Sequence, residues 1–207
     1  MFRLPREFAP FRLFGAPVVF HWSVLLMAVL ILALKRFSVA GLVGALAYVL
    51  LIVAHEAGHA WVARRNRLYV HRLLIYPMHG VCQHEAARTS GQDIAVAWGG
   101  IGAQALLFVL AMLIGLLPFP PGPVASVQTA IVVAWGPFNL LLMVLNLLPI
   151  APLDGARAWR VLPWLGERWR TRPRSRAPAK KKRPVGGERG KVVSLDEHRR
   201  RVSRSDD

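Results

Sequence analysis

Charged residues disappear from three long stretches of this chain. Residues 37–63 carry one, Glu56, and residues 94–117 and 124–153 carry none. Each run exceeds the about 20 residues an α-helix needs to cross a hydrocarbon core of roughly 30 Å. An earlier apolar stretch, residues 18–34, lies at the short end of that range and contains His21. The pattern predicts an α-helical integral membrane protein with four membrane-embedded helices. Leu34-Lys35-Arg36 follows the first stretch where a leader peptide would show small residues for cleavage, so this stretch reads as a retained helix.

Between the second and third helices the helical pattern lapses. Tyr69, Val70, Leu73, Leu74, Ile75 and Tyr76 favour a strand, Pro77-Met78-His79-Gly80 signals a turn, and Val81-Cys82-Gln83-His84 follows, which predicts a β-hairpin within residues 68–85. Two readings stay open. One is an ordinary cytoplasmic loop. The other is a membrane-associated hairpin that is buried in protein or lines a wet cavity, with the strand at residues 69–75 offering an edge to an extended peptide.

Charge refines the picture. Of 27 Lys and Arg residues, 15 lie at or after Arg168, against five acids, so ten of the sixteen net positive charges fall there. Residues 170–190, rich in Arg, Lys, Pro and Gly, cannot bury enough apolar surface to offset their ordering entropy. The expected organisation is a membrane core over residues 1–167 and a disordered basic tail over residues 168–207. No aromatic residue interleaves the basic run after Trp169, which points away from nucleic acid and towards anionic lipid. Arg3, Arg6 and Arg12, then Arg64, Arg65 and Arg67, then the tail, put both termini on the cytoplasmic side and outvote Lys35-Arg36. A hydrophobic share of 54% fits this class, and a single cysteine, Cys82, excludes an intrachain disulfide.

Within the second apolar run stands His55-Glu56-Ala57-Gly58-His59. Ionisable groups at membrane depth are costly, so a cluster of them marks a functional site. Residues i and i+4 of a helix share a face, which lets His55 and His59 close on one zinc ion and leaves Glu56 beside the metal as a general base. A catalytic zinc needs a third protein ligand. Asp154 is the only acid between Asp93 and Glu167, it follows the fourth apolar segment on the cytoplasmic side, and Pro149, Pro152 and Gly155 let the chain turn there.

These motifs resemble the site-2 protease family of intramembrane zinc metalloproteases. His55-Glu56-x-x-His59 pairs with Asn146-x-x-Pro149-x-x-x-Leu153-Asp154-Gly155, residues 15–23 resemble the approach to the first core helix, and Gly80-Val81 resembles a glycine-valine hairpin element. The similarity covers roughly residues 13–160. Ala156 stands where family members commonly have a second glycine, and Gly99-Gly100 where they have Gly-Pro in the third helix. The resemblance implies one zinc ion per chain on His55, His59 and Asp154, Glu56 shuttling a proton from water to the leaving amine, and Asn146 donating to the oxyanion or the substrate backbone. It implies regulated intramembrane proteolysis of membrane-protein substrates in a bacterial inner membrane, by a near-minimal core without PDZ or CBS domains.

Two other classes stand beside it. A catalytically silent metal-binding membrane protein that grips helices would not need Glu56, and a zinc transporter would place acids and histidines along several helices, whereas the third span has none. His21 either faces the zinc pocket or serves as an interfacial polar group. His71, His79, His84 and Cys82 fit no common zinc spacing and read as hairpin residues. The glycines at 99, 100 and 102 read as close helix packing.

Overall fold

The computed structural model of the chain describes residues 7–171. The chain enters through a hairpin of β1 (Glu7–Leu13) and β2 (Ala16–His21). Phe14 and Gly15 join them at φ 51° and 81°. Two successive positive φ angles make the two-residue turn whose twist suits an antiparallel pair, and the glycine takes its angle without strain.

The helix expected over residues 18–34 therefore divides. Val18, Val19 and Phe20 pair in parallel with Leu73, Leu74 and Ile75, and only α1 (Ser23–Leu34) is helical. Branched and aromatic side chains that are buried on both faces fit a central strand, and their apolar run is indistinguishable by periodicity from a buried helix. At 12 residues α1 is about 18 Å long, short of a full bilayer core.

Among the described residues, three helices are long and apolar enough to cross a membrane. The first, α2 (Val39–Arg65), starts at Ser38, whose hydroxyl accepts from the Gly41 N–H at 3.1 Å. It is followed by β3 (Val70–Ile75) and β4 (Gly80–His84), the expected hairpin. That hairpin is half of a four-stranded sheet in the order β1-β2-β3-β4. The strand proposed to offer its edge, β3, thus has neighbours on both sides, and the edge falls to β4. Val18, Phe20, Leu73 and Ile75 from the sheet join Tyr48 and Ile52 from α2 in one buried cluster.

The second span, α3 (Ser90–Gly115), is capped by Thr89, whose hydroxyl accepts from the Gln92 N–H at 3.2 Å, while the Gln92 side chain accepts from the Arg88 N–H at 2.9 Å. It packs on α2 through backbone. A Cβ on Gly99 would stand 2.9 Å from Val62 Cγ2, and one on Gly58 would stand 2.9 Å from Ala103 Cβ.

The third span runs over Pro123–Asn146 in three pieces: α4 (Pro123–Val133), a π-helical segment (Ala134–Phe138) and α5 (Asn139–Asn146). Pro137 explains the widening, since it has no N–H to donate and its ring crowds the preceding turn. A Gly-Pro pair is thus present in this chain, at Gly136-Pro137, in the third long helix rather than beside Gly99. After α5 the chain turns through residues 147–154 into α6 (Gly155–Ala158) and α7 (Val161–Thr171). Residues 168–171, counted above with the tail, are helical here, and residues 172–207 lie outside the described residues.

Candidate metal centre

One helical turn of α2 sets the imidazoles of His55 and His59 edge to face, ring centres 4.6 Å apart and Nε2 atoms 3.1 Å apart. From the turn before α6, Asp154 Oδ2 comes within 3.2 Å of His55 Nε2 and 3.0 Å of His59 Nε2. Three donor atoms at the corners of so small a triangle, all buried, suit a single tetrahedral ion. Bonds of about 2.0–2.1 Å would call for edges of about 3.3 Å. Two imidazoles and one carboxylate are a donor set that zinc accepts.

The surroundings orient these donors. His59 Nδ1 donates to the Val96 carbonyl at 2.7 Å, which leaves the Nε2 lone pair facing the centre. His55 Nδ1 has no hydrogen-bond partner among the described residues. Asp154 keeps Oδ2 for the histidines because Oδ1 accepts from Arg157 Nη2 at 3.3 Å. Arg157 also reaches Asp93 at 3.8 Å, and Arg160 meets the same carboxylate at 3.1 Å. Trp159 Nε1 donates to the Leu147 carbonyl at 2.6 Å and Trp98 Nε1 to the Ala158 carbonyl at 3.2 Å, so the turn carrying Asp154 is tied at both ends.

Gly155 serves by closeness rather than by turning. A Cβ there would overlap the Leu147 and Leu148 carbonyls, and its φ is not among the positive ones. Gly100 does the same beside the metal donors, where a Cβ would stand 2.6 Å from His55 Cε1. Beyond close helix packing, it sets the space the imidazoles occupy.

Glu56 is 2% exposed, with Oε1 at 3.9 Å from His55 Nε2, too far for it to share the corner held by Asp154. The hairpin closes over it: any Cβ on Gly80 would overlap the Glu56 carboxylate. Glu56, the three donors, Cys82 and Asn146 all line one cavity of about 550 Å³. Asn146 ends α5 and points Nδ2 at Gln104 Oε1, 3.5 Å away. His79 and His84 contribute to the wall of this cavity. His21 stands outside its lining, with Nδ1 2.5 Å from Ser23 Oγ and its ring against Tyr76.

Two buried amides escaped the sequence reading. Gln104 is 2% exposed and Asn139 fully buried, and Asn139 Nδ2 donates to the Gln104 and Trp135 carbonyls at 2.7 and 3.1 Å. The signal was present, since Gln104 is the single amide in the run of residues 94–117.

The chain is similar to known proteins, although no family model matches it. Rip3 of Mycobacterium tuberculosis, provisionally described as a zinc metalloprotease, is 34% identical over 170 residues, covering 74% of this chain and 42% of Rip3. The Synechocystis protein sll0528, described in the same way, is 33% identical over 127 residues, covering 60% of this chain and 32% of the relative. The zinc metalloprotease MJ0392 of Methanocaldococcus jannaschii is 24% identical over 155 residues. The solved site-2 protease from M. jannaschii shares the fold at a TM-score of 0.56 and 21% identity, covering 79% of this chain and 73% of that one.

The chain is similar in sequence to zinc metalloproteases and shares the fold of a site-2 protease. It spans less than half the length of the curated relatives it matches. Within this frame of helices long and apolar enough to cross a membrane, a zinc-type donor set lies between α2 and the turn after α5.

Proposed function

We propose that this chain is an intramembrane zinc endopeptidase that hydrolyses peptide bonds in or near the membrane-spanning segments of other membrane proteins. The observation that carries the reading is the triangle of His55 Nε2, His59 Nε2 and Asp154 Oδ2 with the Glu56 carboxylate held beside it rather than in it. Zinc bound there supplies a Lewis acid and lowers the pKa of a water it holds. Glu56 is in reach to take a proton and return it to the leaving amine, and β4 keeps bulk solvent off its carboxylate. Asn146, on the same cavity wall, offers an N–H to the substrate carbonyl.

The substrate is an unwound segment, because a helix hides its peptide bonds in internal hydrogen bonds. The outer edge of β4, at the end of the sheet and against the cavity, suits an extended chain.

Arg64, Arg65 and Arg67 at the end of α2 favour a site on the cytoplasmic side of a bacterial inner membrane. The pairing of β2 with β3 sets the N-terminal hairpin at that same end. From there α1 leads to the far end of α2, so it makes a fourth, shallower passage and both termini are cytoplasmic.

The test is zinc content and cleavage of a panel of single-span membrane proteins, compared for the parent chain, Glu56→Gln and Asp154→Ala. One zinc per chain, kept in Glu56→Gln, lost in Asp154→Ala, and cleavage abolished in both, is the expected result. Cleavage that survives Glu56→Gln would overturn the assignment, and zinc without Glu56-dependent cleavage would favour a silent binder.

A further inference from the structure

We infer that α7 is an interfacial helix that seats an apolar stripe in the headgroup region of the bilayer and sets its arginines on anionic phospholipid. Leu162, Leu165 and Trp169 are 62%, 42% and 75% exposed. Their spacing of three and four residues puts them on one helical face. A different face docks on the protein, where a Cβ on Gly91 of α3 would stand 3.1 Å from Trp164 Cζ2. Docking therefore leaves the leucine and tryptophan stripe exposed among the described residues.

The occupant follows from position and charge. Eleven residues make about 16 Å of helix, too short to cross a bilayer, and Glu167, Arg168 and Arg170 bar it from the hydrocarbon core. Gly91 and Asp93, which hold Trp164 and Arg160, belong to the first turn of α3, so α7 sits where a spanning helix leaves the membrane. Around the axis, Arg168 and Arg170 stand on either side of the stripe, so apolar groups can enter the acyl boundary while both cations stay at headgroup level. Trp169 within the stripe favours the same boundary. None of this depends on catalysis, and a Glu56→Gln chain would dock in the same way.

The full chain in lipid nanodiscs tests the inference. In a Cys82→Ser background, an environment-sensitive fluorophore is attached at Leu165→Cys on the stripe or at Glu167→Cys on the opposite face. With phosphatidylglycerol in the disc, the label at 165 should be blue-shifted and shielded from iodide, and the label at 167 should remain accessible. Replacing both Arg168 and Arg170 with Gln should shift the docked-to-undocked ratio by about 30-fold towards undocked, given about a tenfold effect for each 1.4 kcal/mol and about 1 kcal/mol per arginine at an anionic surface. Phosphatidylcholine alone should shift it in the same direction. A second readout leaves α7 intact in the parent chain: bromine-labelled acyl chains should quench its tryptophan emission more than that of Trp169→Phe. Equal iodide access at the two positions would overturn the proposal. So would shielding at 165 that follows the number of chains per disc rather than lipid charge, which would assign the stripe to a second copy.

Discussion

Gly100 lies so close to His59 that no side chain fits between them. A Cβ at residue 100 would stand 2.6 Å from Cε1 of His59 and equally close to Cε1 of His55. Alanine there would push both rings out of register with Asp154, at an overpacking cost of about 1–3 kcal/mol. Gly100→Ala should therefore lose most of its bound zinc while keeping its helix content, as metal analysis and circular dichroism would show. Gly102→Ala, with nothing within 4 Å of the added methyl, should retain zinc like the parent.

The long spans and the candidate donor residues were legible because each rests on a strong local pattern. Apolar runs bounded by charges, and by the Pro- and Gly-rich stretch at residues 118–123, locate α2, α3 and the Pro123–Asn146 span, and the i, i+4 spacing puts His55 and His59 on one face. The N-terminal hairpin was hidden because Val18-Val19-Phe20 continues straight into the apolar residues of α1. Only its parallel pairing with β3, across more than fifty residues of sequence, makes it a strand. The roles of Gly80 and Gly100 were hidden for a related reason. Each serves by what it leaves empty beside a side chain of another element, and a single sequence carries no trace of that space.

Arg157 links the proposed ligand Asp154 to Asp93 at the head of α3. Its hydrogen bond occupies Oδ1 and so helps aim Oδ2 at the two histidines. Groups that orient a metal ligand in this way typically matter by 10–100-fold in affinity. Arg157 is 40% exposed, which puts the expectation at the low end. Arg157→Gln should weaken zinc about tenfold in a chelator competition. Arg160→Gln, which touches Asp93 but no proposed ligand, should change it far less.

Asn139 bridges two spans, with its Nδ2 donating to the Gln104 carbonyl on α3 and to the Trp135 carbonyl within the π-helical segment. The amide thus ties the π-helical segment to α3. Asn139→Leu would bury an apolar side chain where a donor is needed, at a cost of about 1–3 kcal/mol. A lower thermal midpoint in detergent is expected, with zinc content retained at low temperature.

Cys82 sits on β4 beside Glu56, and its thiol is pushed up to about 12, first by burial and then by the neighbouring carboxylate. An unfolded cysteine ionises near 8.5. At pH 8 the folded chain should therefore react with iodoacetamide at least a hundredfold more slowly than the unfolded chain, and mass spectrometry of the alkylated peptide would measure the ratio. The same shift fixes a direction for stability. A thiol whose folded pKa is raised contributes fully below its unfolded pKa, and that contribution is lost as pH rises from about 8.5 towards 12. Cys82→Ser has no such titration, so its thermal midpoint should fall less steeply with pH across that window than that of the parent. Parallel slopes would mean that the thiol ionises as readily in the folded chain as in the unfolded one.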